Sequence, residues 1–176
     1  KKGMIMMGRL DKKISIVTGA ARGLGRGIAE KLAEEGSKVI IVDIDKEACD
    51  ETVKEFKENG FTAKAFAANI AKREDVTKLF EFVDNEYDRI DILVNNAGIN
   101  RDSTLVKMSQ EQWQQVIDVN LTGTFNCTQE AAVRMKEQKS GRIISISSAS
   151  WLGNFGQANY AASKAGVVGI TKTITR

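Results

Sequence analysis

Strand-like and helix-like segments alternate along the whole chain, and this alternation restricts the fold more than any other feature. Short apolar segments typical of buried strands lie at residues 14–18, 38–43, 62–67, 90–95 and 142–147. Helix-like segments lie between them, through about residue 35 and at residues 46–59, 73–86 and 109–138, and a last one starts near Asn159. Apolar strands that are separated by helices form a parallel sheet with both faces covered. Right-handed crossovers then predict an α/β fold with a doubly wound parallel sheet.

The length of the chain allows one such domain. A chain of 176 residues can build one buried core and has little room for a second. We expect residues 1–9 to be an N-terminal extension and residues 10–176 to be a single domain. Because the chain stops at Arg176 inside a segment with a helical pattern, we expect the domain to be incomplete at its C-terminus.

Composition excludes several classes of function. The net charge is +3, and lysines are interleaved with acidic residues, so we expect neither a nucleic acid nor a membrane as partner. The absence of histidine excludes histidine-based triads and histidine metal sites. Cys49 and Cys127 fit no metal or redox spacing, so we expect no metal site and two reduced packing residues. No apolar run approaches the ~18 residues of a transmembrane helix, and a cytoplasmic protein is the expectation.

A glycine-rich turn follows the first strand. Residues 18–25 have the sequence TGAARGLG, with glycines at positions 19, 23 and 25. Such a turn lets the backbone approach a pyrophosphate closely and directs the N–H groups of the next helix at it. A tight strand-to-helix turn without a ligand is the alternative. Because no Gly-Lys-Ser/Thr follows the glycines, the turn favours a Rossmann-type dinucleotide site over a nucleoside triphosphatase loop.

Asp43 stands at the end of the second strand, 18 residues after Gly25. In this fold an acidic residue about 20 positions after the glycines accepts hydrogen bonds from the adenosine ribose. A carboxylate there repels a 2′-phosphate, so Asp43 predicts NAD as the cofactor. Arg22, inside the turn, offers a cation to a 2′-phosphate and leaves NADP open. Asp43 could instead cap a helix, and Asp45 is a rival for either role.

Tyr160 and Lys164 are four residues apart in a predicted helix, so they share one face of it. A free phenol has a pKa of ~10 and needs ~4 kcal/mol to reach about 7. A cation at ~5 Å with an effective dielectric constant of ~20 supplies ~3 kcal/mol, and an oxidised nicotinamide could add more. Lys164 therefore allows Tyr160 to act as a catalytic acid or base. An ordinary surface pair of tyrosine and lysine is the alternative.

Four serines crowd the end of the fifth strand, where open α/β sheets bind their ligands. Ser148 lies just past the strand, and a hydroxyl there can hydrogen-bond a substrate oxygen as its charge changes. Composition alone does not separate Ser148 from Ser145, Ser147 and Ser150.

Taken together, these motifs resemble the short-chain dehydrogenase/reductase family. The resemblance extends from about Leu10 to the last residue and includes TGAARGLG at 18–25, NNAG at 95–98, Asn120 within VIDVNLTG, Ser148 within ISISSAS and YAASK at 160–164. Each motif alone is modest, but their order and spacing together are highly specific. The resemblance implies an oxidoreductase whose pattern continues for about one more strand–helix–strand unit beyond Arg176, including the loop that closes over the substrate.

The resemblance also assigns roles to individual residues. It implies that Tyr160 donates or accepts the proton, that Lys164 assists it and binds the nicotinamide ribose, and that Ser148 holds the substrate carbonyl. Asn120 would support a proton relay through water. The implied cofactor-binding residues are Thr18, Gly19, Arg22, Gly23, Leu24, Gly25, Asp43, Asn69, Ile70, Asn96, Ala97 and Gly98, together with Tyr160 and Lys164. Many members of the family carry aspartate where Asn69 stands.

Within the family, residues 95–109 and 153–169 are most similar to 3-oxoacyl-[acyl-carrier-protein] reductases, which act in fatty acid synthesis. Two features depart from that group. Those reductases usually take NADPH and lack an acid at position 43, and their segment from serine to tyrosine is one residue longer than that from Ser148 to Tyr160. Ser147 would restore the count, but the ISS pattern favours Ser148. Lys139 and Arg142 lie where a basic patch for a carrier protein would be, with a solvated loop as the alternative.

Two other functions remain as alternatives. One is an NAD-dependent dehydrogenase of a hydroxyacyl-CoA, a sugar or another secondary alcohol. The other is a non-enzymatic dinucleotide-binding sensor, which has no need of the acid/base pair. For the enzyme, the resemblance implies a small-molecule or carrier-bound carbonyl substrate and a homotetramer assembled through the long helices after strands four and five.

Overall fold

The structure, a computed structural model, describes residues 8–174. Most of the expected N-terminal extension at residues 1–9 therefore lies outside the described residues. Strands and helices alternate as β1 Ile14–Thr18, α1 Gly23–Glu34, β2 Lys38–Asp43, α2 Lys46–Glu58, β3 Ala63–Ala67, α3 Arg73–Tyr87, β4 Ile92–Asn95, α4 Gln110–Val116, a π-helix Ile117–Thr122, α5 Gly123–Gln138, β5 Arg142–Ser145, a 3₁₀ helix Ala149–Leu152 and α6 Ala158–Ile174. The predicted alternation is confirmed.

The five strands form one parallel sheet in the order β3-β2-β1-β4-β5. The strand β1 pairs with β2 on one side and with β4 on the other. The chain therefore winds outward from β1 in two directions, which makes the sheet doubly wound, as predicted. In such a sheet ligands bind at the carboxyl ends of the strands, where the order reverses. This places the expected ligand site between the ends of β1 and β4.

The core has two layers, one on each face of the sheet. On one face Ile16 of β1 belongs to a cluster with Phe80 of α3. On the other face the next residue, Val17, belongs to a cluster with Phe56 of α2. Successive side chains of a strand point to opposite faces, so strands between two helical layers are apolar at every position. This explains the continuous apolar runs of the sequence.

The stretch predicted as one helix at residues 109–138 is divided by the π-helix. Its start is as predicted, because Ser109 and Gln112 form a reciprocal capping box. The π-helix is a new feature, and such bulges are frequent at functional sites. The helical pattern of residues 109–138 predicted one continuous helix and did not indicate this interruption. Between residues 8 and 174, no helix is both long and apolar enough to cross a lipid bilayer.

Candidate active site

A cleft of about 600 Å³ opens at the carboxyl ends of β1, β2 and β4. It brings together most of the residues that the sequence assigned to a cofactor. The lining residues are Gly19, Arg22, Leu24, Gly25, Val42, Asp43, Ile44, Ala68, Asn69, Ile70, Asn96, Ala97, Gly98, Ile99, Arg101 and Val119. Of the predicted cofactor residues, Thr18, Gly23, Tyr160 and Lys164 lie outside this lining.

The glycine turn is shaped so that its backbone forms one wall of the cleft. Gly19 has a φ of +63°, and a Cβ there would lie 2.8 Å from the Cα of Ala97. A Cβ on Gly25 would lie 2.1 Å from the carbonyl oxygen of Gly19. Side chains are thus excluded from both positions. The helix α1 begins within this motif, at Gly23, with no side-chain cap on its N-terminus and no acidic residue in its first turn, so its free N–H groups suit an anion such as a pyrophosphate.

Hydrogen bonds of Thr18 and Asn96 hold this wall in place. The Thr18 hydroxyl accepts hydrogen bonds from the backbone N–H groups of Asn96 and Ala97, each at 3.1 Å. The Asn96 amide donates to the carbonyl oxygens of Thr18 at 3.0 Å and Gly19 at 3.1 Å. Thr18 therefore ties the glycine turn to the NNAG segment and does not itself line the cleft.

The structure separates the roles of the two acids after β2. Asp43 lines the cleft, and its carboxylate accepts hydrogen bonds from the backbone N–H groups of Ile44 at 2.8 Å and Ala21 at 3.3 Å. Asp45 caps α2 by accepting from the N–H of Ala48 at 3.1 Å. Its other oxygen pairs with the guanidinium of Arg22 at 2.7 Å. Asp45 thus takes the helix-capping role, and the cation of the glycine turn already has a carboxylate partner.

Asn69 and Ile70 form part of the cleft after β3. The Asn69 side chain accepts a hydrogen bond from the N–H of Ala71 at 3.1 Å. The Ile70 carbonyl accepts from the buried Asn126 amide at 3.0 Å. A Cβ on Gly123 would lie 2.7 Å from the Ile70 side chain, so α5 approaches this loop closely. Both residues are thus held by contacts within the protein and present a fixed surface to the cleft.

Tyr160 and Lys164 meet on α6 as the spacing predicts. The Lys164 ammonium lies 5.5 Å from the centre of the Tyr160 ring. Lys164 is 4% exposed and donates a hydrogen bond to the carbonyl oxygen of Ile146 at 2.7 Å. Burial lowers the pKa of Lys164, because a charged ammonium loses its hydration there. The pair is not a solvated surface contact, so that alternative is wrong.

The serines after β5 have different partners. Ser145 accepts a hydrogen bond from the Asn95 amide at 3.2 Å, and the Ser147 hydroxyl donates to the carbonyl oxygen of Lys164 at 3.1 Å. Ser148 and Ser150 contact each other, and the Ser148 hydroxyl caps the short 3₁₀ helix. Ser145 and Ser147 thus hold neighbouring elements together, whereas the half-buried Ser148 starts the turn that leads toward α6.

Asn120 lies in the π-helix, and its buried side chain contacts two parts of the site. It accepts from the N–H of Ile99 at 2.8 Å and donates to the carbonyl of Ile99 at 3.0 Å. It also donates to the Ser163 hydroxyl at 3.3 Å, which in turn donates to the Tyr160 carbonyl at 2.7 Å. Asn120 therefore joins the loop after β4 to the start of α6.

Sequence reasoning missed Asn159, which is fully buried beside Tyr160. Its side chain contacts the backbone of Arg101, Gln112 and Tyr160. Two of these partners are 58 and 47 residues away, and no local pattern signals such a contact. Only the packing of the loop after β4, α4 and α6 brings them together.

Comparison with known proteins identifies the class. The family model described as short chain dehydrogenase matches residues 13–176. The chain therefore belongs to the short-chain dehydrogenase family, a family of oxidoreductase enzymes, which confirms the resemblance inferred from the motifs.

Individual relatives carry a more specific name. The 3-oxoacyl-[acyl-carrier-protein] reductase of Synechocystis sp. is 48% identical over 172 residues, covering 97% of this chain and 70% of the relative. The 3-oxoacyl-[acyl-carrier-protein] reductase FabG of Staphylococcus aureus is 46% identical over 166 residues, covering 93% of this chain and 68% of the relative. The crystal structure of gox2181 matches with a TM-score of 0.92 and 35% identity, covering 94% of this chain and 66% of that one. The chain thus spans about two thirds of the length of each.

Proposed function

We propose that the protein transfers a hydride between a nicotinamide dinucleotide and a carbonyl or secondary alcohol, with Tyr160 moving the proton. The observation that carries this proposal is the buried Lys164 ammonium 5.5 Å from the Tyr160 ring. A fixed cation stabilises a phenolate, which makes the phenol a competent acid and base. A protein that only binds dinucleotides has no need of this pair, which argues against a sensor.

The cleft fits a dinucleotide. The Cβ-free wall at Gly19 and Gly25 and the uncapped N-terminus of α1 suit the pyrophosphate. Asp43 would accept hydrogen bonds from the adenosine ribose, and Asn69 and Ile70 would face the adenine. When bound, the dinucleotide supplies the hydride chemistry, and the protein supplies orientation and electrostatics.

The catalytic residues would act on the substrate oxygen. Tyr160 gives the proton to that oxygen in the reductive direction and takes it in the oxidative direction. Lys164 stabilises the phenolate form of Tyr160, and Ser148 donates a hydrogen bond to the same substrate oxygen as it gains charge. Asn120 keeps the loop after β4 against α6 through its bonds to Ile99 and Ser163. A water-linked relay at Asn120 rests on the family resemblance.

We expect the cofactor to be NAD, with NADP as the alternative. Asp43 places a carboxylate in the cleft wall where it repels a 2′-phosphate. Arg22, the cation that would attract this phosphate, is paired with Asp45. Both features favour NAD over NADP.

The substrate that the relatives favour is a 3-oxoacyl group on an acyl carrier protein, in fatty acid synthesis. Large apolar side chains in the segment between Ser148 and Tyr160 suit an acyl chain, because Leu152 and Phe155 are 75% and 89% exposed. Lys139 and Arg142 flank one surface groove and would contact an acidic carrier protein. A cytoplasmic location would fit that role.

The second candidate function is that of an NAD-dependent dehydrogenase of a hydroxyacyl-CoA, a sugar or another secondary alcohol. Asp43 favours it, because 3-oxoacyl-[acyl-carrier-protein] reductases usually lack an acid there.

In either case we expect a homotetramer. Exposed apolar side chains on α5, Phe125 and Val133, lie on one of the long helices expected to form its interfaces.

A substrate panel assayed with both cofactors tests the proposal. It should include a 3-oxoacyl thioester, a 3-hydroxyacyl-CoA, a sugar acid and a simple secondary alcohol, each with the NAD and NADP forms. We expect turnover of the acyl thioester and a preference for NADH. Turnover of only a sugar or alcohol would support the second candidate, and a preference for the NADP forms would contradict the assignment of NAD.

A further inference from the structure

The side chain of Asn159 uses all its donors on backbone atoms of other elements. Its amide nitrogen donates to the carbonyl oxygens of Arg101 at 2.9 Å and Gln112 at 3.0 Å. Its amide oxygen accepts from the N–H of Tyr160 at 2.7 Å. The residue is 0% exposed. An asparagine has two N–H donors and one acceptor oxygen, so both donors and the oxygen of this side chain have partners.

The three partners belong to three different elements. Arg101 lies in the loop after β4 and lines the dinucleotide cleft. Gln112 lies in α4. Tyr160 is the third residue of α6, and the first N–H groups of a helix have no partner within it. Asn159 supplies that missing acceptor for Tyr160 and at the same time anchors the first turn of α6 to the cleft wall.

We infer that Asn159 is a positioning residue for Tyr160, an inference that rests on the proposed function. Lys164 is held from the other side, because its ammonium and its carbonyl contact Ile146 and Ser147. The phenol thus stands on a helical turn that is fixed at both ends relative to the cleft. Reaction rates are sensitive to displacements of about 1 Å, so loosening this turn slows proton and hydride transfer without emptying the dinucleotide cleft.

Gln138 provides a matched control. Its side chain also makes three hydrogen bonds to backbone atoms, accepting from the N–H of Ile90 at 3.0 Å and donating to the carbonyls of Ile90 at 2.7 Å and Ser140 at 3.1 Å. These contacts join the end of α5 to the segment before β4. They therefore lie at the amino ends of the strands, whereas the cleft opens at the carboxyl ends. Loss of the Gln138 side chain should therefore lower the free energy of unfolding, as loss of the Asn159 side chain would, without removing a contact of α6.

The experiment compares Asn159→Ala with Gln138→Ala in the purified protein. Three quantities are measured at a temperature below the unfolding midpoints of both variants. They are the rate of amide hydrogen exchange at Tyr160, the Kd of the dinucleotide and the single-turnover rate of hydride transfer. For Asn159→Ala we expect exchange about tenfold faster and hydride transfer about tenfold slower, as for the loss of one buried hydrogen bond, with the Kd within about threefold. For Gln138→Ala we expect a lower unfolding midpoint and a hydride-transfer rate within about twofold of wild type.

Equal slowing in both variants would overturn the inference, and so would unchanged exchange at Tyr160. If Asn159→Ala does not fold, Asn159→Ser is measured in the same way, and its result decides whether the inference holds. Serine keeps a small oxygen beside the Tyr160 N–H. If the wild-type protein transfers no hydride to any substrate, the proposed function fails, whereas hydrogen exchange still decides whether Asn159 fixes Tyr160.

Discussion

The Lys164 ammonium lies 5.5 Å from the centre of the Tyr160 ring and donates a 2.7 Å hydrogen bond to the carbonyl of Ile146. This carbonyl follows β5, whose end forms part of the ligand-binding edge of the sheet. Burial lowers the pKa of Lys164, and the carbonyl dipole offsets part of the lost hydration. The structure thus holds a buried, hydrogen-bonded cation beside the Tyr160 ring.

Ser148 and Ser147 are expected to differ sharply when each is replaced by alanine. Ser148→Ala would remove the proposed donor to the substrate oxygen, and we expect kcat to fall about 10²-fold, as for one oxyanion donor. Ser147→Ala removes a hydrogen bond to the Lys164 carbonyl, which should lower the free energy of unfolding by about 1 kcal/mol and reduce kcat much less. Steady-state kinetics and urea unfolding of both variants check this. A larger loss of kcat in Ser147→Ala would assign the substrate contact to Ser147.

Asp45→Asn should shift the cofactor preference toward NADP. The change frees Arg22 from its 2.7 Å ion pair, while asparagine can still cap α2. We expect the ratio of the NADPH and NADH dissociation constants to fall about two- to fivefold, the scale of one exposed ion pair. Fluorescence titration with both dinucleotides measures this ratio.

Asp50→Asn is the control for that measurement. Asp50 lies on the same helix and pairs with Lys46 at 2.7 Å, but it does not line the dinucleotide cleft. Removing its charge should leave the ratio unchanged. An equal shift in both variants would indicate a general effect of net charge and contradict a specific role for the pair of Arg22 and Asp45.

Asp91 is expected to make folding depend on pH. Burial opposes its ionisation, but hydrogen bonds from Arg89, the N–H of Ile14 and Lys13 outweigh this and lower its pKa. A carboxyl with a lower pKa in the folded state stabilises it above its unfolded pKa and loses this contribution as pH falls. Asp91→Asn should therefore lower the free energy of unfolding by about 2 kcal/mol at pH 7, the scale of hydrogen bonds to a charged group.

Urea unfolding of wild type and Asp91→Asn at several pH values checks this prediction. The difference between them should be constant above pH 5 and shrink as the pH falls below 3.8, the ordinary pKa of an aspartate. A difference that stays constant down to pH 3 would show that the charge of Asp91 does not contribute.

Much of the fold could be predicted because strand and helix patterns are local. Consecutive apolar residues such as Ile16 and Val17 indicate a sheet covered on both faces, and they do pack into opposite core clusters. The spacing of Tyr160 and Lys164 likewise needs only one helical turn. Local periodicity was therefore enough to predict both the layer arrangement and the pairing of Tyr160 with Lys164.

The remaining features depend on which distant segments meet. The choice between Asp43 and Asp45 requires the direction in which the backbone leaves β2, and two adjacent carboxylates give no local signal for it. The contacts of Asn159 join residues far apart in the chain, so the sequence pattern does not distinguish it from an exposed asparagine at a helix start. The different partners of Ser147 and Ser148 arise in the same way, from the packing of α6 against β5.

Tyr160→Phe, examined by single-turnover hydride transfer beside a dinucleotide titration, is the most direct test of the proposed chemistry. Phenylalanine keeps the ring over Lys164 and removes only the ionisable hydroxyl. We predict that the Kd of NADH stays within about threefold while the rate of hydride transfer falls by about 10²- to 10⁴-fold, the range for a general acid. A variant that binds NADH normally and still transfers hydride within about tenfold of the wild-type rate would contradict the assignment of Tyr160 as the proton donor.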